Sequence, residues 1–193
     1  MRVGLFGGTF DPPHVGHLLA ATDAFEALTL DKLLFIPAGQ QPFKSGKVVA
    51  TGEQRLEMLR RMVGDDRRFA ADAVEIERGG LSFTVDTVQA LADREPGAQL
   101  FLLIGEDLAA QFATWREPER IARLAEVVVI RRPGVPPAEG NIEQAEPHLR
   151  RIETRRVDVS STEIRSRVAA RRPVRGFVTD AVAEYIEAAA LYR

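Results

Sequence analysis

An α/β fold is the architecture this sequence predicts: a doubly wound parallel sheet with helices on both faces and further helices at the C-terminal end. Three observations carry it. Continuous apolar runs of strand length recur at Val3–Phe6, Lys32–Pro37, Gln99–Gly105 and Val127–Ile130, and such runs suit parallel strands covered on both sides. Between them lie segments with apolar residues at helical spacing, so the order reads β-α-β-α-β-α-β-α-β. Glycine turns follow three strands, at Gly7-Gly8, Gly39 and Gly105, and in a parallel sheet they share the carboxyl edge, where ligands bind.

Each element has its own warrant. Val3–Phe6 is the first strand and the apolar-periodic stretch Leu18–Leu28 the first helix. Lys32–Pro37 follows as a strand, then a long loop, Ala38–Thr51, punctuated by Gly39, Pro42, Ser45 and Gly46. Connections of that length inside compact domains are more often functional than idle. Leu56, Leu59 and Val63 line one face of a helix over Gly52–Val63. Ala73–Glu77 alternates apolar and polar residues and predicts a third strand, ended by Gly79-Gly80. Val85, Val88, Leu91 and Ala92 set a helix over Ser82–Ala92, followed by the strongly apolar strand Gln99–Gly105. Glu119–Leu124 is a short helix and Val127–Ile130 a further buried strand. Past Arg132, Pro133, Pro136, Pro137 and Gly140 mark a polar connection. A last strand, Ile152–Val157, precedes helices over about Thr162–Ala170 and Thr179–Leu191, separated by Arg171-Arg172-Pro173. Residues 1–193 are expected to form a single domain, with core 1–132, polar connection 133–150, and last strand and C-terminal helices 151–193.

Composition narrows the class. The chain has 193 residues, 45% hydrophobic and 28% charged, with a net charge of −2. Such a balance suits a globular domain with one sizeable core and argues against a general electrostatic mode toward nucleic acid or membranes. The absence of cysteine excludes disulfides and thiolate metal sites and fits a reducing compartment. Met1-Arg2-Val3-Gly4 has no leader pattern, and no apolar run approaches the roughly 20 residues of a membrane span. The expectation is a soluble, cytoplasmic protein with no nucleic-acid or membrane partner; its oligomeric state is not legible.

Chemistry concentrates in Gly7-Gly8-Thr9-Phe10-Asp11-Pro12-Pro13-His14-Val15-Gly16-His17, which joins the first strand to the first helix. A glycine turn lets backbone approach a ligand closely, and a helix start offers unpaired N–H groups and partial positive charge to phosphate. Asp11 is expected to cap the helix and Pro12 to sit in its first turn. His14 and His17, two of three histidines in the chain, are three apart and share one face of that turn. The dinucleotide fingerprint G-x-G-x-x-G is absent, since Gly4, Gly7 and Gly8 lack its spacing. A P-loop is absent as well: Gly39 to Gly46-Lys47 is two residues too long, and Val48 stands where Ser or Thr is required.

The stretch G-G-T-F-D-P-P-H-V-G-H instead resembles the nucleotidyltransferase superfamily whose signature ends in H-x-G-H. Ser160-Ser161-Thr162-Glu163-Ile164-Arg165 resembles the S-S-T-x-I-R element of the same superfamily; physically it is a capped helix start with a forked cation. Phe83-Thr84-Val85-Asp86-Thr87 and Gly105-Glu106-Asp107 through Phe112 to Trp115 resemble the nicotinate-nucleotide adenylyltransferases, as do the chain length and the Leu191-Tyr192 ending. The resemblance runs from Val3 to about Tyr192. It implies a Rossmann-like sheet with ATP bound by Gly7, Gly8, Thr9, Phe10, Gly105, Asp107, Ser161 and Thr162. It also implies an acceptor bound by Thr84, Asp86 and Trp115, with the tryptophan packed on the pyridine ring. Family members often carry P-P-H-K after the second strand; here the segment reads Gln41-Pro42-Phe43-Lys44, which keeps the lysine and loses the histidine.

The implied reaction joins the 5′-phosphate of nicotinate mononucleotide to the α-phosphate of ATP, giving deamido-NAD and pyrophosphate. A phosphate monoester has a second pKa of about 6, so its attacking oxygen is already anionic at neutral pH and needs no general base. Alignment and positive donors remain to be supplied. His14 and His17 are expected to donate to phosphate oxygens, with Lys44 and Arg165 adding charge. Mg²⁺ is expected to enter with the triphosphate, bound through phosphates and water, because no carboxylate cage is visible. Two alternatives stay open: pantetheine-phosphate adenylyltransferase, which shares H-x-G-H, and a nucleotide-binding regulator of this fold without turnover.

Overall fold

The strands of a computed structural model, which describes residues 1–39, 48–131 and 149–193, are β1 (Arg2–Gly8), β2 (Lys32–Pro37), β3 (Phe69–Ala71), β4 (Gln99–Gly105), β5 (Ala125–Arg131) and β6 (Arg150–Glu153). They pair in parallel in the order β3-β2-β1-β4-β5-β6. The order reverses between β1 and β4, and a crevice at that switch point is where such sheets take a ligand. The turns leaving these two strands begin at Gly8 and Gly105, so both sequence-predicted nucleotide turns flank the crevice.

The helices are α1 (Val15–Ala27), α2 (Gly52–Val63), α3 (Val74–Arg78), α4 (Thr84–Arg94), α5 (Glu106–Ala109), α6 (Pro118–Leu124), α7 (Ser161–Ala169) and α8 (Asp180–Ala188). Alternation along the strands divides the interior into two cores. Leu33, Phe35, Phe101, Leu103, Val128 and Ile130 pack with Ala21, Met58, Leu59, Ile164, Val182 and Ile186. Their neighbours Leu34, Ile36, Leu102, Ile104, Val127 and Val129 pack with Val85, Val88, Leu91, Phe112 and Ile121. Full burial of one such side chain is worth about 1.5–3 kcal/mol. A one-residue slip would exchange the two sets, so the register is strongly specified. Among the described residues no helix is long and apolar enough to cross a membrane.

Two sequence expectations fail here. Ala73–Glu77 is not a strand: Val74–Arg78 is helical, and the third strand is Phe69–Ala71, paired with Leu33–Phe35. Glu75 turns inward, its Oε1 accepting the Thr87 hydroxyl at 2.8 Å and its Oε2 the Gly39 N–H at 3.3 Å. An acid buried for its hydrogen bonds therefore mimicked the polar face of a strand. The last strand is Arg150–Glu153, two residues earlier than Ile152–Val157, with Ile152 opposite Ile130. Most of the expected 133–150 connection lies outside the described residues.

After β6 the chain is tied to Asp23 on α1. Its Oδ2 accepts the Arg155 N–H at 2.7 Å, and its Oδ1 accepts Nε and Nη2 of the guanidinium at 2.9 and 2.7 Å. Burial opposes ionisation of Asp23, but the side-chain and backbone hydrogen bonds and the charge of Arg155 outweigh it and hold the carboxyl below its usual range. A carboxyl depressed on folding stabilises above its unfolded pKa of about 3.9, and that stabilisation disappears as pH falls through the folded value. Asp23→Asn is therefore expected to lower the thermal midpoint at pH 7, with the gap to the parent protein narrowing as pH is taken below the carboxylate range. A gap that stayed constant across that titration would dissociate the pair from acid stability.

Candidate active site

The start of α1 is not the open donor array its sequence suggests. His14, not Asp11, is the N-cap, and Pro12 lies outside the helix. The His14 N–H donates to Nδ1 of His17 at 3.2 Å, the Val15 N–H to the Phe177 carbonyl at 3.0 Å and the His17 N–H to the His14 carbonyl at 2.9 Å. The N–H groups of His14, Val15 and His17 are therefore engaged within the protein. Because Nδ1 of His17 accepts, the neutral ring carries its proton on Nε2 and presents a donor there. The two imidazoles stack with centroids 3.7 Å apart, and Phe10 stands edge-on to His17 at 4.9 Å.

Small residues make that stack fit. A Cβ on Gly16 would lie 3.0 Å from Nδ1 of His14, which explains the glycine between the histidines. A Cβ on Gly8 would meet the Phe10 ring at 2.8 Å. Phe10 is a core residue, only 2% exposed, so its ring props His17 and only its backbone is left to meet a nucleotide. Gly7 and Gly8 close β1, and Thr9 follows, its carbonyl accepting from Nη1 of Arg55 at 2.8 Å.

Asp11 is a hub. Its Oδ2 accepts the Val49 N–H at 2.8 Å, and its Oδ1 accepts the Ala50 N–H at 3.1 Å and the Tyr192 hydroxyl at 2.7 Å. The carboxylate thus ties the turn after β1 to the chain entering α2 and to the C-terminal end, instead of capping α1. The second motif docks on the same turn: Nη1 of Arg165 donates to the Asp11 carbonyl at 2.7 Å, and the Ser161 hydroxyl to the Pro12 carbonyl at 2.8 Å. Ser160 is the N-cap of α7, accepting the Glu163 N–H at 3.1 Å, and Thr162 Oγ1 accepts from Nη2 of Arg165 at 3.3 Å. Segments nearly 150 residues apart in sequence are in direct contact.

Sequence reasoning passed over Arg55 and Tyr192. Arg55, 3% exposed on α2, donates to the carbonyls of Thr9 at 2.8 Å, Ala38 at 2.6 Å and Ala50 at 3.3 Å. Burial lowers its pKa, and the charges of Asp11 and Glu75 act against that loss. Tyr192 is pushed far up by burial first and by its hydrogen bond to Asp11 second, so it stays a phenol and a donor. The signal that could have flagged Arg55 is an arginine beside Leu56 on the buried face of an amphipathic helix. Lys44 and Phe43 lie outside the described residues.

The residues expected for the acceptor, Thr84, Asp86 and Trp115, and the Gly105 and Asp107 expected for ATP lie on α4 and on the segment that begins where β4 ends. Thr84 opens α4 and Asp86 is in its first turn. Gly105 ends β4, Asp107 is exposed in the first turn of α5, and Trp115 follows the 3-10 turn Phe112–Thr114. Trp115 is half-buried, its ring 5.5 Å from that of Phe112. Arg116 connects the two segments, its guanidinium over the Phe83 ring at 4.8 Å and 3.8 Å from Asp86.

The two motifs thus meet at one turn, the start of α7 docking on the residues just before α1. Residues 5–167 match the cytidylyltransferase-like family. Over the whole chain, a protein of Gemmatimonas aurantiaca is 50% identical and one of Thermus thermophilus 43% identical, with 93% and 100% of those relatives covered; each is described as a "Probable nicotinate-nucleotide adenylyltransferase". The nicotinic acid mononucleotide adenylyltransferase of Plasmodium falciparum, complexed with NaAD, superposes with a TM-score of 0.77 at 17% identity, covering 99% of this chain and 97% of that one. The structural likeness bears on the fold, the sequence likeness on the family. The chain belongs to the cytidylyltransferase-like family and, within it, to the nicotinate-nucleotide adenylyltransferases.

Proposed function

We propose that this enzyme transfers AMP from ATP to nicotinate mononucleotide, forming deamido-NAD and pyrophosphate for NAD biosynthesis in the cytoplasm. The observation that carries the reading is the contact between its two phosphate motifs, Arg165 on the Asp11 carbonyl and Ser161 on the Pro12 carbonyl. That contact supports a single site shared by the H-x-G-H turn and the serine-capped helix start.

In this reading His14 and His17 donate to phosphate oxygens, and Arg165 and Lys44 add charge as two polyanions are brought together. The backbone of Gly7, Gly8, Thr9 and Phe10, with Gly105, Asp107, Ser161 and Thr162, holds ATP. Among the described residues no three His, Cys, Asp or Glu side chains converge to hold a metal ion, and the Asp11 carboxylate is engaged by two N–H groups and a hydroxyl. In this reading the divalent ion enters with the substrate as MgATP, bound by phosphates and water.

Thr84, Asp86 and Trp115 bind the acceptor. Trp115→Ala is expected to raise the KM for nicotinate mononucleotide about tenfold while leaving that for ATP within a factor of about two, the loss of an aromatic face for a flat ring. Equal changes in both constants would make Trp115 a packing residue. The reaction itself is tested by offering ATP with nicotinate mononucleotide, nicotinamide mononucleotide or phosphopantetheine and measuring pyrophosphate. Turnover with the nicotinate acceptor is expected. Turnover with phosphopantetheine alone, or ATP binding without pyrophosphate, would overturn the reading.

A further inference from the structure

We infer that Tyr192 is a positioning residue for the adenylyl transfer, acting through Asp11 on Arg165. This rests on the function proposed above and adds to it a part played by the C-terminal end of the chain. The Tyr192 ring is held by the core of α1, α2, α7 and α8, with its hydroxyl 3.9 Å from Sδ of Met58. Packing alone thus accounts for the ring. It does not account for the hydroxyl, which is delivered onto Oδ1 of Asp11 at 2.7 Å, across 181 residues of sequence.

The backbone accepts a cost to make that delivery. Tyr192 has φ 63°, a left-handed conformation that bulky residues rarely adopt and that persists where surrounding contacts over-determine it. Those contacts converge on a site. Asp11 is 2% exposed, and the hydroxyl is the one side-chain donor on its carboxylate among the described hydrogen bonds, the others being the Val49 and Ala50 N–H groups. Asp11 in turn holds Arg165 twice, by its carbonyl at 2.7 Å and by a carboxylate oxygen 4.0 Å from Nη1. Fixing the carboxylate fixes the orientation of the turn that Arg165 and Ser161 grip. A phenol oxygen that touches no substrate therefore sets where the Arg165 charge stands relative to His14 and His17.

The test is Tyr192→Phe, which removes the oxygen and keeps the ring, in the full-length enzyme. Small misplacements of charged groups act on the transition state more than on ground-state binding. The expected result is a kcat lowered about tenfold with the KM for both substrates within about twofold, in a variant that folds with a thermal midpoint lowered by several degrees for the lost buried hydrogen bond. In an Arg165→Lys background, where the guanidinium fork is already lost, Tyr192→Phe is expected to cost less than about twofold, because the two residues act in series. A kcat unaffected by Tyr192→Phe, the same loss in both backgrounds, or a variant that no longer folds would each overturn the inference. Absence of pyrophosphate release from the parent enzyme would instead overturn the proposed function, so the two failures are distinct.

Discussion

Replacing His17 with alanine is expected to lower kcat by about 10²-fold or more, with little change in the KM for ATP. Removing one preorganised donor from a developing oxyanion typically costs that much. Preorganisation is visible around this ring: the His14 N–H fixes Nδ1, the His14 imidazole covers one face, and Phe10 stands at the edge. The Nε2 proton is therefore set before substrate arrives, and little reorganisation is left for the reaction itself. Steady-state pyrophosphate release checks the prediction, with thermal midpoints as the control for the His14 N–H left without its partner. Near-normal turnover in a folded variant would remove His17 from the mechanism.

The second large effect is on stability. Arg55→Met is expected to lower the unfolding free energy by about 3 kcal/mol, since a buried acceptor left unmatched costs about 1–3 kcal/mol and three carbonyls lose their donor. The loss of positive charge beside Asp11 and Glu75 acts in the same direction. Arg55→Lys is expected to recover only part, because an ammonium cannot span the carbonyls of Thr9, Ala38 and Ala50 as a planar fork does. Denaturant unfolding of both variants checks this. A methionine variant as stable as the parent would show that the three carbonyls find other donors.

Legibility in the sequence follows the range of the interaction that fixes each feature. Lys32–Pro37, Gly52–Val63 and Gln99–Gly105 have the bounds their own residues predict. The signals there are local: apolar runs in the strands, and at α2 a capping box in which Thr51 and Gln54 bond each other's backbone N–H groups. The third strand was misplaced because Phe69–Ala71 is too short to show a period, whereas Ala73–Glu77 shows a false one. At the site, both motifs were legible as residue strings, but their partners were not. Asp11 looked like a helix cap because a cap is the nearest task for an aspartate before a helix. Its acceptors' true partners, Val49, Ala50 and Tyr192, lie 38, 39 and 181 residues away. Arg55 carries a local signal, an arginine beside Leu56 on the buried face of α2, but its partners are not legible, the carbonyls lying 46, 17 and 5 residues away.

The hub at Asp11 also orders events during synthesis. Strands β1 to β5 hold everything needed to pair with one another once Arg131 has emerged, and domains generally condense from the N-terminal side as the chain grows. The turn after β1 cannot be completed on that schedule. Its oxygens wait for Ser161, Arg165 and finally Tyr192, and contacts of such sequence separation form late. A growing chain can therefore carry a nearly finished sheet while the turn after β1 still lacks the partners that hold it.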